Sequence, residues 1–189
     1  GIARLLKKPR ANDYYVVYAG VGAGVSVLLC NLLPNVFDSG IKPLQPVLRS
    51  NFWLTLHVLT ITFSYGAFAV SFVISMVQLL RYLLNKHYDS SSEQANTSAL
   101  KIGTMMLALG TLLGAIWADF AWGRFWGWDP KETWAAITLM VYMILLHGRF
   151  HNWIKRELNY VFSALGFISV VMAWYGVNYI LGVGLHSYG

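Results

Sequence analysis

The stretch Trp117 to Thr133, WADFAWGRFWGWDPKET, holds four tryptophans, two phenylalanines and two glycines, closes on a charged tail and is followed directly by Trp134. Long apolar runs flank it on both sides. Tryptophan is large, rigid and amphipathic, so a cluster this dense offers either a stacking wall for a planar apolar ligand or an anchor at a membrane surface. Its last residues also carry a fold signal. Asp129, Pro130 and Glu132 read as an N-cap, a proline at the first helical position and a capping-box acid at the third, so a helix begins there.

Working outward, the 189 residues are 57% hydrophobic and 12% charged, about half the charged share of an ordinary soluble domain. Such a chain belongs in a bilayer. A helical span needs about 20 mainly apolar residues. Runs that reach or approach that length extend from Tyr14 to Leu33, Phe52 to Leu84, Ala99 to Ala118, Thr133 to Leu146 and Tyr160 to Leu181. The fourth becomes long enough once its helix starts at the DPKE signal. The second exceeds one span and projects past the membrane at its Arg81 end. The expected fold class is all-α, a polytopic integral membrane bundle of about five helices, with residues 1–189 forming a single transmembrane domain.

RLLKKPR precedes the first run like the flank of a signal peptide, but no small-residue cleavage pattern follows, so this helix is expected to be retained. The chain opens on Gly1, which suggests a processed product or a piece of something longer. Its formal charge of +6 does not point to nucleic acid, because the basic residues sit in short clusters between apolar runs. They act as topology signals. Arg4, Lys7, Lys8, Arg10, Arg81, Lys86, Lys101, Arg149, Lys155 and Arg156 fall on one side of an alternating five-helix path, and Lys42, Arg49, Arg124 and Lys131 on the other. The richer side is cytoplasmic. This orientation puts the N-terminus inside and the C-terminus outside, with the tryptophan stretch facing the outer compartment. The single cysteine, Cys30, excludes an intrachain disulfide, a CxxC redox pair and a CxxCH haem-attachment site. Lys86 to Ser98, KHYDSSSEQANTS, reads as a polar, flexible cytoplasmic loop, with His87 a solvated residue in it. His151, in the basic turn GRFHNWIKRE, gets the same reading.

Three histidines remain. His57 lies a short way into the second helix, where a polar imidazole among Leu, Val and Phe must be paired or ligated, since an unsatisfied one costs several kcal/mol. His186 follows Gly182 and Gly184 in the outer tail, and His147 ends the fourth helix at its inner side. Two neutral imidazoles can hold a haem iron from opposite faces, and the porphyrin needs an aromatic wall. Trp122 and Trp126, four apart, would share a face if the stretch carries a helical turn. Gly123 and Gly127 allow backbone to approach a flat ligand. Arg124 and Lys131 suit propionates, whereas Asp129 and Glu132 read first as caps. An aromatic belt with a capped helix start is the plainer alternative.

WGRFWGWDPKETW resembles the tryptophan-rich WWD signature of haem-handling proteins of cytochrome c biogenesis, and its DPKET ending looks like the CcsA/ResC branch (system II) more than the CcmC and CcmF branches. SNFWLTLHVLTITFSYGAF with His57, LLHGR with His147 and NYILGVGLHSYG with His186 are similar to that family's ordered histidines, and the likeness covers roughly Arg49 to Gly189. The resemblance implies that His57 and His186 form an outer axial pair on haem b. It makes His147 half of an inner haem site whose other histidine lies in a partner or a region absent here. The WWD loop, residues 117–133, becomes the cofactor-binding element, through Trp117, Trp122, Gly123, Arg124, Trp126, Gly127, Trp128, Asp129 and Lys131. The implied activity is that of a cytochrome c synthase of haem lyase type, working within a complex and without a nucleophile in this chain. The implied partners are a CcsB/ResB-type membrane protein, an apocytochrome c bearing CxxCH, a thiol-reducing protein of the same pathway and the lipid bilayer, with no nucleic acid. The implied location is a bacterial inner membrane or a plastid thylakoid membrane. The family usually has more helices than five, so an N-terminal part is expected to be missing. A bis-histidine cytochrome b electron-transfer subunit and a non-catalytic structural membrane subunit are the rival readings.

Overall fold

The structure, a computed structural model, describes residues 11–32, 52–85 and 88–181. Its regular elements are α1 (Ala11–Leu32), α2 (Phe52–Asn85), α3 (Ser90–Trp122), α4 (Pro130–Phe150) and α5 (Arg156–Val171), which runs on as a π-helical segment, Met172–Leu181. Among the described residues there is no strand. Four helices are long and apolar enough to cross a membrane, namely Phe52–Leu84, Ser91–Trp122, Pro130–Phe150 and Glu157–Leu181, and Tyr15–Leu28 is a shorter apolar helix. The chain is thus a polytopic membrane helix bundle. With 34 residues, α2 is about 50 Å long at 1.5 Å per residue, well beyond a hydrocarbon core of about 30 Å.

The residues Ser90 to Ser98 correct the sequence reading of a flexible loop. They are the first turns of α3, which begins at Ser90 rather than at the apolar run from Ala99. Asp89 caps it by accepting a hydrogen bond from the Ser91 amide at 3.2 Å, and Glu93 places an acid in the first turn, where the helix dipole favours it. Ser92, Ala95 and Asn96 are fully buried. The polar pair among them, Ser92 and Asn96, faces a matching row on neighbouring helices. Gln78 Nε2 donates to Ser92 Oγ at 2.8 Å, Ser71 Oγ to Asn96 Oδ1 at 2.5 Å, Asn96 Nδ2 to Ser163 Oγ at 3.5 Å and Ser163 Oγ to the Asn159 carbonyl at 2.7 Å. This polar seam ties α2, α3 and α5 together, and its partners satisfy groups that hydrophobic surroundings would otherwise penalise. His87 lies outside the described residues.

The α2–α3 pair is antiparallel and close. Large side chains on α2 fall onto glycines of α3: a Cβ added to Gly103 would lie 2.7 Å from Phe68, and one added to Gly110 would lie 2.7 Å from Ile61. Ser64 Oγ also donates to the Gly103 carbonyl at 2.9 Å. Lipid tails are as apolar as leucine, so such close packing and interhelical hydrogen bonds, rather than hydrophobic burial, drive helix association in a bilayer. Inside the bundle, Phe68 of α2 stacks on Tyr142 of α4 with centroids 3.8 Å apart. Leu100, Leu107, Leu145, Leu146 and Val170 complete that core. Phe72 meets Phe167 of α5 at 4.8 Å, and Thr138 of α4 donates to the Ser169 carbonyl of α5 at 3.1 Å. These contacts put the starts of α2 and α4, the end of α3 and the π-helical end of α5 at one end of the bundle. The end of α4 and the starts of α3 and α5 lie at the other.

Candidate functional site

At the first of these ends, His57 is wedged between α2 and α3. Its Nδ1 lies 2.7 Å from the Gly110 carbonyl. A carbonyl only accepts, so Nδ1 carries the proton and donates, and Nε2 takes the lone pair that can ligate a metal. Gly114 makes the seat possible, because a Cβ there would lie 2.6 Å from the ring. Gly110 and Gly114 stand one turn apart as GTLLG, a GxxxG pattern that signals close helix approach. That signal was available in the sequence, although its pairing with His57 was not.

Three residues past Gly114, α3 enters the tryptophan stretch. Trp117 is 2% exposed, and its ring meets Trp122 edge-on at 4.7 Å. Trp53 of α2 stacks on Phe120 at 6.4 Å, which ties this end of α3 to the turn before His57. The helix stops at Trp122. Gly123 adopts φ +67°, with its amide on the Asp119 carbonyl at 2.9 Å, a left-handed stop that glycine takes at no steric cost. The condition for placing Trp122 and Trp126 on one helical face is therefore not met, since Gly123 to Asp129 is not helical. Trp126 pairs with Trp128 instead, edge-on at 5.8 Å. Trp128 is 73% exposed and holds a left-handed backbone, φ +57°, which costs a non-glycine residue about 1–2 kcal/mol.

The charged tail offsets that strain. Asp129 is buried and caps α4 by accepting from the Lys131 amide at 3.1 Å. Glu132 turns back to accept from the Asp129 amide at 3.1 Å and from the Gly127 amide at 2.8 Å, while Thr133 Oγ1 donates to the Trp128 carbonyl at 3.3 Å. The expected capping box with proline at the start of α4 is present. Glu132 also pairs with Arg124 at 3.7 Å. The guanidinium lies over Trp122 at 5.8 Å and fills the space that a side chain on Gly127 would need. Gly127 thus admits Arg124 here. Lys131 is half-buried beside this cap.

At the opposite end, His147 is exposed on the last turn of α4. Its Nδ1 lies 2.8 Å from the Met143 carbonyl, which again leaves the lone pair on Nε2. Arg149, beside it, pairs with Glu93 at 3.2 Å and so locks the end of α4 to the start of α3. The turn that follows is a Schellman motif. Trp153 N donates to the Gly148 carbonyl at 2.8 Å and Asn152 N to the Arg149 carbonyl at 3.2 Å, with Asn152 at φ +55° in the left-handed position such stops require. This turn stacks His151 on Trp153, centroids 5.1 Å apart, and brings both to a hollow shared with His147. The sequence reads His151 as a solvated turn residue, and it is indeed exposed in the turn; its stacking on Trp153 is what that reading does not contain. Among the described residues, no three His, Cys, Asp or Glu side chains converge as a metal site. His186 lies outside the described residues.

A family model for the cytochrome c assembly protein matches residues 11–186. The chain is 42% identical over 161 residues to protein NrfI of Wolinella succinogenes, a match covering 80% of this chain and 17% of that protein. It is 36% identical over 184 residues to the cytochrome c biogenesis protein CcsA of Chlamydomonas reinhardtii, covering 88% of this chain and 51% of the relative. With CcsA of Synechococcus sp. (strain CC9902) it shares 33% identity over 205 residues, covering 89% and 65%. The chain thus spans between about a sixth and two thirds of the length of these relatives.

Proposed function

Because the chain belongs to the cytochrome c assembly protein family, as a CcsA-type protein, we propose that it presents haem at the His57 end of the bundle for covalent attachment to apocytochrome c. The observation that carries this reading is the seat of His57. Its ring rests on Gly114, and the hydrogen bond from Nδ1 to Gly110 fixes the tautomer and direction of the imidazole before any ligand arrives. Most metal-binding histidines donate their other ring N–H to a carbonyl, carboxylate or water in this way. Haem, the cargo, would supply the vinyl groups to which two cysteine thiols add and an iron that accepts axial imidazoles.

His57 would take one axial position and His186 the other. Trp122, Phe125, Trp126 and Trp128 supply aromatic surface beside the ring, with Trp117 holding Trp122 from below. Gly123 gives the turn its left-handed corner. Arg124 is the propionate partner, released from Glu132 as cargo arrives, and Lys131 assists it beside the Asp129 cap. No side chain of this chain has to act as a nucleophile. What it contributes is position, exclusion of water and control of axial ligation.

His147 serves as one half of a loading site at the opposite end. The N-terminus is inside and the C-terminus outside, so the tryptophan loop faces the periplasm or lumen, in a bacterial inner membrane or a thylakoid. A CcsB/ResB-type protein completes the inner site, and a thiol-reducing protein keeps the apocytochrome cysteines reduced. Pyridine haemochrome assay of the purified protein tests the reading. We expect His57→Ala to cut bound haem several-fold or to abolish its low-spin spectrum, with recovery on adding imidazole. A loaded protein whose spectrum is unchanged by that substitution would sink the outer-site assignment.

A further inference from the structure

The polar seam between α2, α3 and α5 is built in layers. Its complete layer is Ser71, Asn96 and Ser163, where the Asn96 amide reaches both hydroxyls. One helical turn nearer the start of α3, about 6 Å at 1.5 Å per residue, stand Ser75 on α2, Ser92 on α3 and Asn159 on α5. Positions four apart share a helix face. Because α2 runs toward that end while α3 and α5 run away from it, these three residues form a second layer of the seam. All are buried, Ser75 and Ser92 fully and Asn159 to 5% exposure. The α3 residue is a serine here, too short to bridge its neighbours as Asn96 does.

Two atoms of this layer are left over. Among the described residues, neither Ser75 Oγ nor Asn159 Oδ1 has a hydrogen-bond partner. A helical serine or threonine can turn its hydroxyl back to the carbonyl four residues earlier, as Ser163 and Thr104 do. Ser75 does not, so its hydroxyl is buried without that fallback. Ser92 Oγ accepts from Gln78 and donates to Asp89, which leaves it one lone pair. The layer thus offers a hydroxyl free to donate, an amide oxygen that only accepts and a spare lone pair, with no charge among the three to balance a bare cation. A water molecule matches that set, since it can accept from Ser75 and donate to the other two. Buried waters make about three hydrogen bonds of this kind. We propose that Ser75, Ser92 and Asn159 hold one internal water molecule, which takes the part that the Asn96 amide plays one turn away and so couples α5 to α2 and α3.

Thermal unfolding of the detergent-solubilised full chain tests this without any haem. Ser75→Ala removes one partner of the water, and Asn159→Leu removes another at nearly constant size. Each single substitution should lower the midpoint by about 2–4 °C, the shift that losing roughly one buried hydrogen bond gives a chain of this length. The double variant strands neither of the two leftover groups, so it should lose clearly less than the two single losses together. A midpoint that rises in Ser75→Ala overturns the proposal, because removing a hydroxyl that holds nothing relieves its burial cost. Single losses that simply add overturn it as well. A parent midpoint higher in sodium or potassium chloride than in choline chloride at equal ionic strength, with the difference abolished in Ser75→Ala, would replace the water by a cation. A high-resolution structure gives the direct reading. An ordered oxygen between Ser75 Oγ and Asn159 Oδ1 is expected there, and a direct hydrogen bond between those two atoms would overturn the assignment.

Discussion

Gly114 shows how much a single missing side chain can decide. Its absent Cβ is the floor on which the His57 imidazole lies, and any substituent there comes within 2.6 Å of ring atoms. Gly114→Val should push the imidazole off the Gly110 carbonyl, so haem content should fall about as far as in His57→Ala. The cost in stability should be only about 1–3 kcal/mol, typical of overpacking. A haemochrome assay beside a thermal melt checks this, and full haem loading in a folded Gly114→Val protein would contradict it. His57 was legible in the sequence as an imidazole that apolar surroundings oblige to find a partner. The identity of that partner was not, because a backbone carbonyl on another helix depends on the register between α2 and α3. Arg124 was legible as a cation near the tryptophans, but its pairing with Glu132 arises from a chain reversal that the one-dimensional spacing does not display.

At the scale of the element, the loop between α3 and α4 is held by Glu132 through two separable interactions, the cap on the amides of Gly127 and Asp129 and the ion pair with Arg124. Glutamine keeps most of the first and loses the second. Glu132→Gln should therefore cost less than about 1 kcal/mol, as partly exposed ion pairs do, whereas Glu132→Ala should cost about 1–2 kcal/mol more, as lost caps do. Thermal unfolding midpoints of the two variants decide the matter. Equal losses would mean that the ion pair, not the cap, holds the loop. The start of α4 was readable because DPKE states its cap locally. The start of α3 was not. SSSEQANTS has the composition of a solvated loop, and it is helical here because Asp89 caps it while Gln78 and Ser71 of the preceding helix and Ser163 of α5 supply partners that depend on helix packing.

For the whole molecule, length and apolarity alone sufficed to establish an all-helical membrane bundle, since a bilayer leaves a spanning chain few other ways to satisfy its backbone. The orientation proposed from the basic residues can be tested directly. In a Cys30→Ser background, Phe125→Cys, at a position 50% exposed, should react with a membrane-impermeant maleimide added outside intact cells, and Lys155→Cys only after permeabilisation. The reverse pattern would invert the topology and move the tryptophan loop to the cytoplasm.

The unequal lengths of neighbouring helices have a consequence for that loop. Tyr142 is level with Gly103, since both pack on Phe68. Asp129 lies 13 positions before Tyr142, so it stands about 20 Å from that level at 1.5 Å per residue, roughly the height of Ile116 on α3. Trp122 is therefore about 9 Å farther out, and the chain from Gly123 to Asp129 must descend by that distance to enter α4. The segment from Gly123 to Asp129 thus runs from the tip of α3 back toward the level of the His57 seat. It would flank a bound ring as a side wall and leave the outer rim open to an arriving polypeptide.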